Sequence, residues 1–135
     1  MDQFLFVYGT LRSDVAHPMH LVVVEYAEPV GGAIYQGRLF DLGTYPAVTP
    51  DKSGDWHVIG ELYRLLQPEL LLDQLDRYEG CSKDDLAPCE YRREIQQVSK
   101  QDGTICNAWM YLYNLPLESP RWIPSGDYLN RQGSR

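Results

Sequence analysis

The 135 residues are 44% hydrophobic, a length and apolar fraction suited to one domain with a core of its own. Lys and Arg number 12 against 19 Asp plus Glu, a formal net charge of −7; that sign excludes a protein built to track a phosphate backbone. It also means that an anionic ligand must be held by local donors rather than drawn in by the global field.

The chain opens Met1-Asp2-Gln3 and runs straight into a short apolar stretch, without the basic start and small-residue cleavage site of a secretory signal. No apolar run approaches the roughly 18 residues of a membrane-spanning helix. The expectation is a cytoplasmic protein with neither membrane nor nucleic acid as partner. Residues 4–8 are continuously apolar and precede Gly9, the pattern of a strand buried on both faces. Residues 21–26 contain Val22, Val23 and Val24, which favour a strand locally, but the stretch is too short for periodicity to decide between strand and helix. Gly31 and Gly32 predict a turn. Residues 33–40 then read as a strand, with Gly37 at a bulge or close backbone approach. Between 42 and 56, Gly43, Pro46, Pro50 and Gly54 have the composition of a loop.

Residues 58–66 read as a further strand. Pro68 sits where a first helical residue is tolerated, and Leu71, Leu75 and Tyr78 recur at helical spacing, so a helix is expected over 68–78 with Gly80 as its stop. Strand formers at 91–98 and 105–113 flank Asp102-Gly103, a hairpin signal. Pro116, Pro120 and Pro124 mark an irregular segment, and 131–135 is a polar tail. Six or so strands with a few helices, not regularly alternating, predict an α+β fold on a mixed or largely antiparallel sheet, in a single domain over 1–130.

Few residues offer chemistry. In Tyr8-Gly9-Thr10-Leu11-Arg12 a buried strand ends in glycine and a hydroxyl residue, where main-chain N–H groups released from the ladder can converge on a carboxylate; the alternative is that Gly9 merely lets the strand turn. Glu79 falls at the expected helix C-terminus, where the dipole disfavours its charge and burial would raise its pKa toward the range a general base needs. A solvated helix-end side chain is the plainer reading of any such glutamate. His17 and His20 lack a third ligand in reach, so no metal is expected. Cys81, Cys89 and Cys106 are odd in number and show no C-x-x-C spacing, which suits free buried thiols. Trp109, Tyr111 and Tyr113 alternate with Ala108, Met110 and Leu112, so both faces of that strand are apolar; core packing is the first reading and a substrate-lining tyrosine the second.

In order, these segments resemble the gamma-glutamylcyclotransferase-like family. Phe6 through Arg12 resembles its N-terminal signature, Tyr45-Pro46 its loop, Gly60-Glu61-Leu62-Tyr63 its central strand, and Leu75 through Gly80 the segment that holds its catalytic glutamate. Tyr91-Arg92-Arg93, Ala108 through Tyr113 and Ser125-Gly126-Asp127-Tyr128 resemble the later strands and C-terminal segment of small bacterial members. The resemblance implies a small mixed β-barrel or curled sheet, with residues 19–26 helical. It also implies an enzyme that closes a gamma-glutamyl substrate into 5-oxoproline without metal, nucleotide or covalent intermediate, with Glu79 as general acid/base. Main-chain groups of Tyr8, Gly9, Thr10 and Leu11 would hold the glutamyl end, and Arg12, Tyr45, Tyr111 and Tyr113 are further pocket candidates. A non-catalytic ligand-binding protein of the same fold is the alternative.

Overall fold

The computed structural model describes residues 2–9, 18–42, 46–79, 89–117 and 121–128. Its elements, in order, are β1 (Phe4–Val7), α1 (Pro18–Tyr26), β2 (Ala27–Asp41), β3 (Pro46–Pro50), β4 (His57–Leu65), α2 (Pro68–Glu79), β5 (Tyr91–Lys100), β6 (Ile105–Tyr113) and β7 (Arg121–Trp122). Hydrogen bonding runs β2-β4-β1-β6-β5 and returns from β5 to β2, so these five strands close on themselves. All contacts around this barrel are antiparallel except that of β1 with β6, where Leu5 faces Trp109. Closure removes the unpaired edges that an open sheet would expose. β3 and β7 attach outside it, to the far end of β2.

Period-two alternation divides the strand residues between two cores. Phe6, Tyr8, Tyr35, Val58, Leu62, Val98, Ala108, Met110 and Leu112 point inward and fill the barrel. Leu5, Val7, Tyr63, Leu65, Tyr91 and Tyr111 point outward and are covered by Val23 of α1 and Leu71, Leu72 and Leu75 of α2. The apolar character of both faces of residues 105–113 therefore reflects two separate cores. Gly60 keeps the barrel narrow: a Cβ there would lie 2.3 Å from the Val7 carbonyl oxygen and 2.6 Å from the Phe6 ring.

The β5–β6 hairpin forms as expected around Asp102-Gly103. Gly103 takes φ 87°, and the Asp102 carboxylate accepts from the Thr104 amide and hydroxyl. The helix that the resemblance implies over 19–26, where periodicity left strand and helix open, is present within α1; each β-branched residue costs only a few tenths of a kcal/mol in a helix, less than burying Val23 against α2 returns. Other expectations need correction. Gly31 and Gly32 lie inside β2 rather than at a turn. The register slips between Pro29 and Gly31, and Gly31 accommodates φ 144°, so the glycines serve a bulge. Residues 46–50, with loop composition, pair as β3; both prolines sit at strand ends, where an outer strand tolerates them. In α2, Leu72 joins Leu71 and Leu75 in the core, whereas Tyr78 is exposed. Cys89 and Cys106 are free but only half-buried, not fully buried thiols.

Candidate active site

A cavity of about 230 Å³ opens where the end of β1 meets the end of α2. Tyr8, Gly9, Tyr78, Glu79, Glu90, Tyr91 and Tyr111 line it, with Pro46 opposite Gly9. Each part arrives for a local reason. β1 stops at Val7, so Tyr8 and Gly9 leave the ladder at the barrel rim. A Cβ on residue 9 would come within 2.7 Å of the Pro46 ring, so only glycine lets β1 and β3 close at that distance. The buried Leu71, Leu72 and Leu75 seat α2 on the barrel, and its last residue is Glu79.

The wall is stiffened by phenols. The Tyr8 hydroxyl donates to the Tyr111 carbonyl at 2.6 Å and the Tyr91 hydroxyl to the Pro46 carbonyl at 2.5 Å. One helical turn before Glu79, Asp76 accepts from Arg93 Nε at 2.7 Å and Nη2 at 3.0 Å, and from the Tyr111 hydroxyl at 2.7 Å. Arg93 also lies over the Trp109 ring, 4.3 Å from its centre. This bidentate pair and its added phenol clamp the C-terminal half of α2 to β5 and β6.

Glu79 has no such clamp: among the described residues no cation or hydrogen-bond donor meets its carboxylate. Burial first, and the Glu90 carboxylate second, raise its pKa from 4.5 to about 7. The residue keeps contact with solvent through the cavity it lines, but the protein packed round the carboxyl governs its proton affinity. The Tyr8 phenol is pushed well above its ordinary value, chiefly by burial and then by the Glu79 charge. Proton exchange near neutral pH therefore belongs to Glu79 rather than to the phenol beside it.

Of the residues singled out in the sequence, Tyr8, Gly9, Glu79 and Tyr111 share this cavity. Thr10, Leu11, Arg12 and Tyr45 lie outside the described residues, as do His17, Cys81 and the 131–135 tail. Tyr113, the remaining pocket candidate, packs edge-on to the lining residue Tyr91, with ring centres 5.5 Å apart, and does not itself line this cavity. The sequence reading missed Glu90, Tyr78 and Tyr91, which enter the wall through tertiary contacts that no spacing reveals. His20 packs edge-on to Tyr63. Among the described residues no cluster of three or more His, Cys, Asp or Glu side chains is arranged to hold a metal, and no helix is long and apolar enough to cross a membrane.

Residues 5–130 match the family model described as "Gamma-glutamyl cyclotransferase, AIG2-like". The gamma-glutamylcyclotransferase family protein YtfP of Escherichia coli K12 is 32% identical over 128 residues, covering 94% of this chain and 96% of YtfP. A YtfP from Citrobacter rodentium is 34% identical over 132 residues, with the same shares covered. Among solved structures, YkqA of Bacillus subtilis aligns with a TM-score of 0.72 at 26% identity; the alignment takes in 98% of this chain but spans only 41% of YkqA. A mouse AIG2-like protein gives a TM-score of 0.66 at 23% identity over 88% of this chain and 87% of its own, a likeness of fold.

Proposed function

This chain belongs to the gamma-glutamyl cyclotransferase, AIG2-like family, and on that footing we propose that it is an enzyme that cyclises a gamma-glutamyl amine, amino acid or peptide to 5-oxoproline, with Glu79 as general acid/base. One observation carries the reading: a carboxyl that meets no cation or donor among the described residues, with its pKa raised to about 7, shares a cavity with the main chain at Tyr8 and Gly9.

In this reading the substrate's glutamyl end lies against the main-chain N–H groups that follow β1, extending over Thr10 and Leu11, and its α-ammonium reaches Glu79. Glu79 takes one proton from the ammonium. The freed amine attacks the γ-carbonyl of the same molecule, forming the ring C–N bond and a tetrahedral intermediate. Glu79 returns the proton to the leaving nitrogen, collapse breaks its bond to the former γ-carbonyl carbon, and the second proton of the new ring nitrogen passes through the freed Glu79 carboxylate to the departing amine, which leaves as its ammonium. The nucleophile is already tethered, and well-oriented intramolecular attack reaches effective molarities on the order of 10⁵ M or more, so the protein's task is positioning and proton transfer. A carboxyl near pH 7 suits that task because it lies closer than an ordinary glutamate to the roughly 8 of an α-ammonium. The cavity suits a substrate of a few heavy-atom groups, and Tyr111 would pack against it while Arg12 and Tyr45 contribute polar contacts.

The test is incubation with a panel of gamma-glutamyl amines, amino acids and dipeptides while following 5-oxoproline release. Steady turnover that is lost in Glu79→Gln is the expected result. Saturable binding without product across the panel would instead make the chain a ligand-binding member of the family.

A further inference from the structure

We propose that Tyr111 is a positioning residue that sets the reach across the cavity: its hydroxyl holds the helix turn that carries Glu79, and its carbonyl holds the Tyr8 phenol, so one residue fixes both walls that a substrate must touch. The inference rests on the reading of Glu79 as the acid/base and deepens it.

Tyr111 of β6 lies directly opposite Arg93 of β5 in the sheet register, and both side chains end on the Asp76 carboxylate, each with a bond of 2.7 Å. Asp76 and Glu79 are three residues apart on α2, so they share a helix face and stand about 4.5 Å apart along its axis. The last turn of a helix has carbonyls without intrahelical partners and frays unless tertiary contacts hold it. The buried leucines of α2 end at Leu75; Asp76 carries the tie beyond them. Arg93 alone already compensates the Asp76 charge at two points, so the added phenol contributes direction rather than neutralisation. It joins the turn to β6, the strand beside β1. On its other side, the Tyr111 carbonyl accepts from the Tyr8 hydroxyl at 2.6 Å, at the rim where β1 stops. Tyr111 is buried and its backbone is paired within the sheet. The end of β1 and the end of α2 are thus both referred to one rigid point. A general acid/base works only within hydrogen-bond reach of its proton, and a shift of about 1 Å can lower a rate on the order of 10²-fold.

The experiment uses Tyr111→Phe, which keeps the ring and the carbonyl and cuts only the arm to α2. With circular dichroism unchanged, kcat for 5-oxoproline release should fall about ten- to a hundredfold while KM moves less than about threefold, because the main chain proposed to hold the glutamyl end is untouched. A carboxyl ¹³C NMR titration, with the Glu79 signal assigned by its loss in Glu79→Gln, supplies a readout that a purely structural role would not move. As the loosened turn lets the carboxyl reach water, its midpoint should fall from about 7 toward 4.5. The other titratable groups of the cavity are Tyr8 of β1, Tyr78 of α2, and Glu90 and Tyr91 at the head of β5. The substitution alters none of them and leaves Arg93 on Asp76, so a fallen midpoint reports solvent rather than a new charge. An unmoved midpoint in the folded variant overturns the proposal, as does an unchanged kcat. Should Tyr111→Phe not fold, Tyr8→Phe cuts the other arm: a lowered kcat with the Glu79 midpoint at its wild-type value supports the proposal, and a wild-type kcat overturns it. A midpoint that falls in Tyr111→Phe while the wild type turns over no gamma-glutamyl compound leaves the positioning standing and removes the cyclotransferase reading alone.

Discussion

Asp76 and Glu79 are one helical turn apart on α2, yet their surroundings are opposite. Asp76 receives two bonds from Arg93 and one from the Tyr111 hydroxyl. Glu79, at the last turn, faces the cavity with a second carboxylate as its electrostatic neighbour. A fully paired carboxylate is held in its charged form and serves to fix a helix on a barrel. A desolvated one that meets no cation or donor among the described residues has its proton affinity raised toward neutrality, the condition that the proposed proton transfer needs. The first makes the second possible, because a carboxyl deprived of solvent and partner tends to swing out into water unless its backbone is held.

The widest separation between the two residues should appear in Glu79→Gln. Removing a general acid/base typically lowers the rate about 10²- to 10⁴-fold, and here the fold should persist with unchanged circular dichroism; a variant with near wild-type 5-oxoproline release would abolish the distinction. Asp76→Ala should do the reverse in stability. Removing one side of this part-buried, bidentate pair should cost about 1.5–3 kcal/mol, readable as a lower urea midpoint at unchanged slope, and a loss under about 0.5 kcal/mol, the level of a surface pair, would show that the clamp does not hold α2. Tyr111→Phe removes only one donor to the charged acceptor and should cost about 1.5 kcal/mol, measured in the same way. A further effect concerns stability against pH. Glu79 has a folded pKa of about 7 against 4.5, so the folded chain holds a proton that the unfolded chain releases between these values, and stability falls as pH rises through that window. Thermal melts of Glu79→Gln should therefore show it gaining on the wild type from pH 4.5 to 7, with a constant difference above; an advantage that is the same at every pH would count against the raised pKa.

The distinction between these two carboxylates was half legible in the sequence. Glu79 stands out as an acidic residue where a helix must end before Gly80, and the order of matching segments gives it a role. Asp76 looks like any polar helix position, since its partners Arg93 and Tyr111 lie 17 and 35 residues away. Tyr91, Tyr78 and Glu90 were invisible as wall residues for the same reason. The strands of the barrel were readable where alternation or a continuous apolar run coincided with β-branched and aromatic residues, as in β1, β4 and the β5–β6 hairpin. Where local preference opposed tertiary demand it misled. Val22 through Val24 favour a strand but lie in a helix that covers the barrel, and Pro46 and Pro50 suggest a loop but bracket an outer strand. Gly31 suggests a chain reversal but absorbs a register slip.

The lone parallel contact of the barrel, Leu5 beside Trp109, also sets a timetable for biosynthesis. β1 is synthesised well before β6, one of its two neighbours, and the bond from Tyr8 to Tyr111 spans 103 positions. At translation rates of about 5–20 residues per second, β1 waits roughly 5–20 s for that neighbour. During this interval Leu5, Phe6 and Val7, buried in the finished barrel, lack the strand that pairs one of their edges, and Glu79 is made before β5 and β6 complete the cavity around it. A nascent chain that stops before β5 thus has all of α2 but only part of the cavity wall, and the cavity is completed in one late step of barrel closure.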